Sequence, residues 1–471
     1  MSASNGPERP WSEAYTETGA IRAPYGPLLE ALQHTDLAAL EAEAAQRMAG
    51  AEATFAGAPF AVCPVPRLIE ASEWRLLEPG LAQRARALSA FVCDAYGARA
   101  IVAEGVMPAS VIDEAEGYEP ALAGRWPEGV QPLGVVGMDV VRDRSGELLV
   151  LEDNVRTPSG YSYAVAARNA VVAALEEWAP RVHGARVAAP VGIEQATVDG
   201  LRAVLTDAAA AAGQPDGRTV VLTDGPGAAA FYEHRVAAAW LAAPLVTPDQ
   251  LERRGDELWL PAAGGRVACV YRRTDIERLY DESGRATTVG ELLLEPWLAG
   301  RLAVVNALGA GVADDKLAHA YVERMIGFYL GEEPLLRSVP TLDLTGAAAR
   351  AEVLGDLRAH VIKPRHGHGG HGVVICAHAE AADIKRVAAK LRRPGSGKRY
   401  IAQRTVQLST APTIVAGALA ERHVDLRPFV FATRAVATVA PGGLTRVAWD
   451  DGALVVNSSQ NGGAKDTWVL R

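Results

Sequence analysis

LGVVGMDVVRDRSGELLVLEDNVRTPSG, residues 133–160, is the stretch on which the reading of the chain turns. Two apolar runs, Leu133 to Val141 and Glu147 to Asn154, flank Asp143-Arg144-Ser145-Gly146, whose Asp, Ser and Gly suit a tight turn. A β-hairpin is expected. Pairing residue 142 with 147 sets a register in which Asp139 faces Val150. Side chains alternate along a strand, so Val150, Glu152, Asn154 and Arg156 share one face, and Asp139 joins it from the neighbouring strand. Asp139 and Glu152 then become diagonal neighbours, roughly 7–8 Å apart.

Carboxylates gathered among Val and Leu are unfavourable to bury unless something compensates their charge. A hard divalent cation does so. Mg2+ takes one or two carboxylates and fills its remaining positions with phosphate oxygens and water, so Asp139, Glu152 and Asn154 suit a metal–nucleotide site. A solvated strand end whose acids face water is the simpler alternative.

Further along, Val361-Ile362-Lys363-Pro364 ends a strand, and Arg365-His366-Gly367-His368-Gly369-Gly370-His371-Gly372 leads into Val373-Val374-Ile375. A glycine hairpin of this kind can fold over phosphates and offer backbone N–H groups, with Lys363 as a point charge. It is not a P-loop, since no Gly-Lys-Ser/Thr follows and a strand comes next. The competing readings are a plain glycine turn and, from His366, His368 and His371, a transition-metal site. Arg427, on an apolar strand, and Arg446, after the Gly442-Gly443 turn, are placed to clamp a phosphate; a surface salt bridge is the alternative for either one alone.

The chain has 471 residues, 49% hydrophobic and 22% charged, enough for several domains around large cores. A formal charge of -9 without a long basic run argues against a nucleic-acid partner. Cys63, Cys93, Cys269 and Cys376 lie far apart without a CxxC pair, which fits a reducing compartment and small buried side chains. With no signal-like apolar core in the first thirty residues and no apolar run of about 18, a cytoplasmic location without membrane contact is expected. Helices are expected at Tyr25 to Met48, Ala71 to Tyr96, Tyr163 to Trp178, Ala228 to Leu241 and Ala381 to Leu391. The patterns divide the chain into α/β and α+β parts at 1–185, 186–335 and 336–471, the middle one an open α/β unit containing the strand Arg218 to Thr223.

Taken together, several blocks resemble the circularly permuted type 2 ATP-grasp family, relatives of the glutathionylspermidine and glutathione synthetase group. They are Tyr25-Gly26, Pro66-Arg67, Gly137-Met138-Asp139, Leu151 to Gly160, Tyr271-Arg272-Arg273, Asp314-Asp315-Lys316, Lys363-Pro364, His423 to Pro428 and Val456 to Gln460. In ordinary ATP-grasp order the lysines precede the Asp, Glu-x-Asn set; here the set comes first, as a circular permutation requires. The resemblance implies a permuted, multi-domain ATP-grasp fold. Residues 1–185 would carry the metal-binding half, 186–335 a pre-ATP-grasp-like α/β domain, and 336–471 the nucleotide-binding half. Asp139, Glu152 and Asn154 would hold Mg2+, with Mn2+ as the alternative. Lys316 and Lys363 would contact phosphates, Gly369, Gly370 and Gly372 would form the lid, and Gln403 would lie near adenine. Arg427 and Arg446 would steady the transferring phosphate. The lid histidines depart from the family's usual pattern.

The reaction so implied is ATP-dependent joining of a carboxylate to an amine through an acyl phosphate, releasing ADP and phosphate. Arg156 with Ser159, Gly160 and Tyr161 is placed to meet the carboxylate substrate, and Glu233, His234, Arg272 and Arg273 to shape the pocket for the second. The substrates would be small molecules or peptides, and a homo-oligomer is compatible with the sequence. A phosphotransferase and a nucleotide-binding scaffold without turnover are the alternative classes.

Overall fold

The computed structural model describes residues 9–178, 192–274, 278–367, 372–450, 452 and 462–471. The expected hairpin is present as the strands Val135–Arg142 and Leu148–Asn154, paired antiparallel. Its register departs from expectation. Asp143 N donates to Glu147 O, and Asp143 Oδ1 accepts from Ser145 and Glu147 N–H groups around Gly146 at φ +90°, so the loop is one residue longer. Arg142 therefore faces Leu148 and Val140 faces Val150. A β-bulge then follows, and Asp139 lies directly opposite Glu152, not diagonal to it. The bulge corrects the even alternation expected from Val150 to Arg156. Val150 joins the main apolar core, and its N–H and C=O serve Arg337 and Val339.

The hairpin lies within a nine-stranded sheet with the order Ala437–Val439, Phe429–Ala432, Val135–Arg142, Ala418–Arg427, Leu444–Val447, Gly463–Val469 and Val62–Ile69, plus two strands beside this path. Pro428 has no N–H to give, and the apolar strand that carries Arg427 ends before it: Ala418–Arg427 and Phe429–Ala432 are two strands. Segments from the two ends of the sequence meet here, with Gly463–Val469 running parallel to Val62–Ile69. Glu13 accepts hydrogen bonds from Arg67 and Arg142 and is buried between them, tying the segment around residue 13 to the hairpin strand.

The middle segment forms a six-stranded sheet in which Gly265–Arg273 pairs in parallel with Arg218–Thr223 and with Ala303–Val305. The segment from residue 336 divides between two sheets. Residues 341–404 build a separate four-stranded antiparallel sheet, ordered Thr341–Asp343, Tyr400–Arg404, His360–Pro364, Val374–Ile375, while strands from 410 onward complete the large sheet. The helix Ala381–Leu391 packs its Val387 and Leu391 on the small sheet. The helical stretch expected from Tyr25 to Met48 is split into Gly26–Leu32 and Leu37–Gly50, because Asp36 Oδ1 caps the second helix at the N–H groups of Ala38 and Ala39. No described helix is long and apolar enough to cross a membrane.

The loop leading to Lys316 depends on a close backbone crossing. A Cβ placed on Gly117 would lie 2.4 Å from the carbonyl carbon of Gly311, three residues before Asp314. Gly117→Ala is expected to cost about 1–3 kcal/mol of stability, as other overpacked sites do. Urea denaturation checks this, and an unchanged midpoint would show that the crossing yields without cost.

Candidate functional site

Three strands of the large sheet bring the acidic and basic residues together. Asp139 is 3% exposed, and Arg427 grips it from Nε at 2.6 Å and Nη2 at 3.0 Å. Arg446 Nη2 donates to Asp139 Oδ2 at 2.7 Å and its guanidinium also holds Asp425. Burial raises the Asp139 pKa, but Arg427 and Arg446 more than offset it and hold the carboxyl well below the usual range. Burial pushes Asp425 up, against the pull of Arg446. Sequence reasoning singled out the arginines and not Asp425, although its alternation with Arg427 on one strand was a usable signal.

Glu152 faces the lysines. Lys316 Nζ is 3.0 Å from Glu152 Oε1 and 2.8 Å from Gly367 O, linking the hairpin to the start of the glycine turn. Burial again works against ionisation of Glu152, yet Lys316 and then Lys363 bring its pKa down. Lys363 is half-buried on the strand His360–Pro364, and no ion-pair partner for it is found among the described residues. Burial lowers its pKa, Glu152 opposes that, and Lys316 adds to it. Glu152, Lys316, Lys363 and Gln403 line one cleft between the hairpin and the small sheet, together with Leu151, Asp153, Asp314, Asp315, His319 and Ile401. Asp153, Asp314 and Asp315 are each paired with an arginine, Arg84, Arg156 and Arg365, which leaves Lys316 and Lys363 around Glu152 as the cations that an incoming anion would meet.

Several supports of this cleft were not anticipated. Asp315 caps the turn Lys316–His319 through Leu317 N and receives Arg365 Nε at 2.8 Å, while Arg365 also donates to the carbonyls of Ser110 and Val111. Lys316 and the root of the glycine turn are thus held to one body. Asp153, the residue between Glu152 and Asn154, forms a buried pair with Arg84 at 2.6 and 2.8 Å and accepts from His319 Nδ1 at 2.7 Å. The Asp314-Asp315 pair was visible in sequence; Arg84, far away in a long helix, carried no local signal.

The loop after the hairpin is held from both sides. Arg156 is paired with Asp314 at 2.7 Å, and the Ser159 carbonyl accepts from Arg427 while its hydroxyl accepts from Arg273. Glu233 is fully buried and accepts from Arg273, Gly160 N, Ser162 N and the Ser162 hydroxyl. Tyr161 bonds Tyr271 through its hydroxyl, and His234 Nδ1 contacts Thr223 at 2.8 Å. Burial, then Arg273, brings the His234 pKa down to about 3. Arg272 is buried on the strand shared with Arg273. Glu233, Arg273 and Tyr161 therefore set the loop from behind instead of lining the cleft with Lys363. Gly372 is described, with φ +73°, whereas Gly369, Gly370, His368, His371 and the block 456–460 lie outside the described residues.

The donor types are those a hard cation takes, while in this structure Arg427 and Arg446 engage Asp139 and Lys316 engages Glu152. Asp139 and Glu152 are directly opposed, and Asn154 Nδ2 has no hydrogen-bond partner, so no bond from that nitrogen fixes which way the amide turns. Among the described residues no group of three or more His, Cys, Asp or Glu could hold a metal ion. Two carboxylates, an amide oxygen and phosphate oxygens from a nucleotide match the way Mg2+ is ordinarily held.

A carboxylate hairpin facing a lysine-bearing antiparallel sheet across a cleft defines an ATP-grasp fold. The chain belongs to the family described as circularly permuted ATP-grasp type 2, which it matches over residues 66–448. A putative glutamate–cysteine ligase 2-2 of Frankia casuarinae is 38% identical over 98% of this chain, and the match spans 54% of that protein, about half its length. An uncharacterized protein of Mycobacterium tuberculosis is 37% identical over 98% of this chain and 84% of its own. A glutathione synthetase-like effector from Globodera pallida, solved in the apo form, shares the fold with a TM-score of 0.57 at 11% identity, covering 92% of this chain and 96% of that one.

Proposed function

We propose that this chain is an ATP-dependent carboxylate–amine ligase that releases ADP and phosphate. The observation that carries the reading is that Asp139, gripped by Arg427 and Arg446, stands opposite Glu152, which lines one cleft with Lys316 and Lys363. Lys316 and Lys363 bind and orient the phosphates. Arg427 and Arg446 keep Asp139 ionised and stand ready to offset charge on the transferring phosphoryl group. Asp139, Glu152 and Asn154 would hold Mg2+, which would supply charge neutralisation to the nucleotide phosphates. The substrate carboxylate attacks the γ-phosphorus, the bond to the ADP oxygen breaks, and the acyl phosphate is captured by an amine as phosphate leaves. No protein nucleophile is needed.

The Frankia relative's name supports ligation as a class. It describes a chain nearly twice as long, so it carries no assignment of acid or amine here. An ADP-release screen over amino acids, short peptides and polyamines with Mg2+ identifies the pair. With the acid and ATP present and the amine withheld, hydroxylamine is expected to trap a hydroxamate. AMP and pyrophosphate as products would refute the mechanism, and a stable phosphorylated acceptor would make the chain a phosphotransferase. Lys363→Ala is expected to weaken ATP binding by roughly 10–100-fold, the loss of one charge-assisted contact. Calorimetry reads this directly, and unchanged affinity would remove Lys363 from the phosphate site.

A further inference from the structure

The basic side chains are not spread evenly along the chain. Residues 336–404 hold thirteen Lys and Arg against five Asp and Glu, in a chain whose formal charge is -9. Most of the excess falls between Lys385 and Arg399, a stretch without an acid. Apolar and small residues separate these cations in the sequence, and the helix Ala381–Leu391 gathers them. Val387, Ala388 and Leu391 are buried against the small sheet, while Lys385, Arg386 and Lys390 stand on the outward face, which Arg392 and Arg393 continue.

What sets this face apart is how few of its charges are answered. Arg386 is held by Asp383 and Lys398 by Glu114. Lys385, Lys390, Arg392, Arg393 and Arg399 are exposed, and their side chains have no hydrogen-bond or ion-pair partner among the described residues. Exposed arginines elsewhere, among them Arg86, Arg235, Arg301 and Arg434, each pair with a carboxylate. The helix dipole favours cations at its C-terminal end, which accounts for Lys390 and Arg392 but not for Lys385 or Arg399. Arg386 and Lys390 also stand four residues apart, a like-charge spacing that destabilises a helix until an anion screens it.

We propose that this face is a docking surface for an acidic segment of a partner polypeptide, a short run of Asp and Glu. Arginine forks take carboxylates two bonds at a time, and free cations along a helix roughly 16 Å long match a run of a few residues. Reach argues against a duplex nucleic acid. Its phosphates continue past the face at about one charge per 1.7 Å, and beyond Lys398 they would meet Glu114, with Asp113 and Glu116 beside it. A lipid surface would find charge alone, because none of the large exposed apolar side chains lies between 381 and 399, and Val387 and Leu391 are committed to the small sheet. Arg365 N donates to Arg399 O, so a segment docked here lies beside the root of the glycine turn. The inference does not depend on the ATP reading.

Fluorescence anisotropy of a labelled oligoglutamate peptide titrated with the full chain tests this, with oligoglutamine as the uncharged control. Oligoglutamate is expected to bind and oligoglutamine not, and the affinity is expected to fall as salt is raised. Arg392→Glu with Arg393→Glu is expected to weaken oligoglutamate binding about tenfold or more. Its urea midpoint and ATP affinity are expected to stay at wild-type values, because neither side chain has a partner to lose. Lys385→Gln with Lys390→Gln removes charge without reversing it and is expected to weaken binding in the same direction by less. No oligoglutamate binding at low salt, or binding unchanged in both variants, would overturn the inference. So would tighter binding of a DNA duplex or of phosphatidylserine vesicles than of the peptide, lost in the same variants. A wild-type dimer in sedimentation velocity that dissociates in Arg392→Glu with Arg393→Glu would give the face to a second copy of this chain and overturn it as well.

Discussion

Glu152→Ala is expected to lower turnover by roughly 10²–10³-fold at saturating ATP and Mg2+, the range seen when one preorganised electrostatic group is removed. Glu152 stands directly opposite Asp139, and its charge is what Lys316 and Lys363 balance before nucleotide enters. Removing it would take away a ligand of the proposed cation and leave the Lys316 and Lys363 ammonium groups without the carboxylate between them. The sign of the binding effect separates these roles. Without Mg2+, Glu152→Gln should bind ATP at least as tightly as the wild type, because a negative charge beside the phosphates is gone. With Mg2+, turnover should still fall. A single-turnover assay at saturating nucleotide reads the chemical step, and near-normal turnover there would exclude Glu152 from the metal set.

How much of this was legible follows from where each signal sits. Asp139, Glu152 and Asn154 stand on a hairpin whose turn residues announce themselves, and Lys363 directly precedes a glycine run, so local patterns expose them. The register was not legible. One extra loop residue and the bulge at residues 150–152 moved Glu152 from diagonal to directly opposite Asp139, and neither leaves a mark in alternation. Tertiary partners were invisible for a different reason. Arg84 pairs with Asp153 across 69 residues and Glu233 reaches Gly160 across 73, distances over which periodicity carries nothing. Full burial, with bonds to Gly160 and Ser162, makes Glu233 a brace of the loop after the hairpin, a packing role that residue type does not announce.

Arg84→Ala is expected to destabilise the fold by about 3–5 kcal/mol at neutral pH, the cost of leaving a buried charge without its partner. Arg84 is fully buried and donates to both Asp153 oxygens and to Ser338, leaving only His319 to serve Asp153 once it is gone. Burial raises the Asp153 pKa, but Arg84 and then His319 outweigh it, so the folded value is depressed. A depressed carboxylate contributes stability above its unfolded pKa, about 3.9, and loses it as pH falls through the folded value below that. In the variant the folded pKa rises instead, and protonation relieves the buried charge at milder acidity. The gap between wild type and variant should therefore be widest near pH 7 and shrink toward pH ~4.5. Replacing both residues, Arg84→Leu with Asp153→Leu, should recover part of the loss, since no charge then remains buried. Urea denaturation of the three proteins at both pH values reads all of this. A gap that does not change with pH would show that Arg84 stabilises the fold through packing and not through the Asp153 charge.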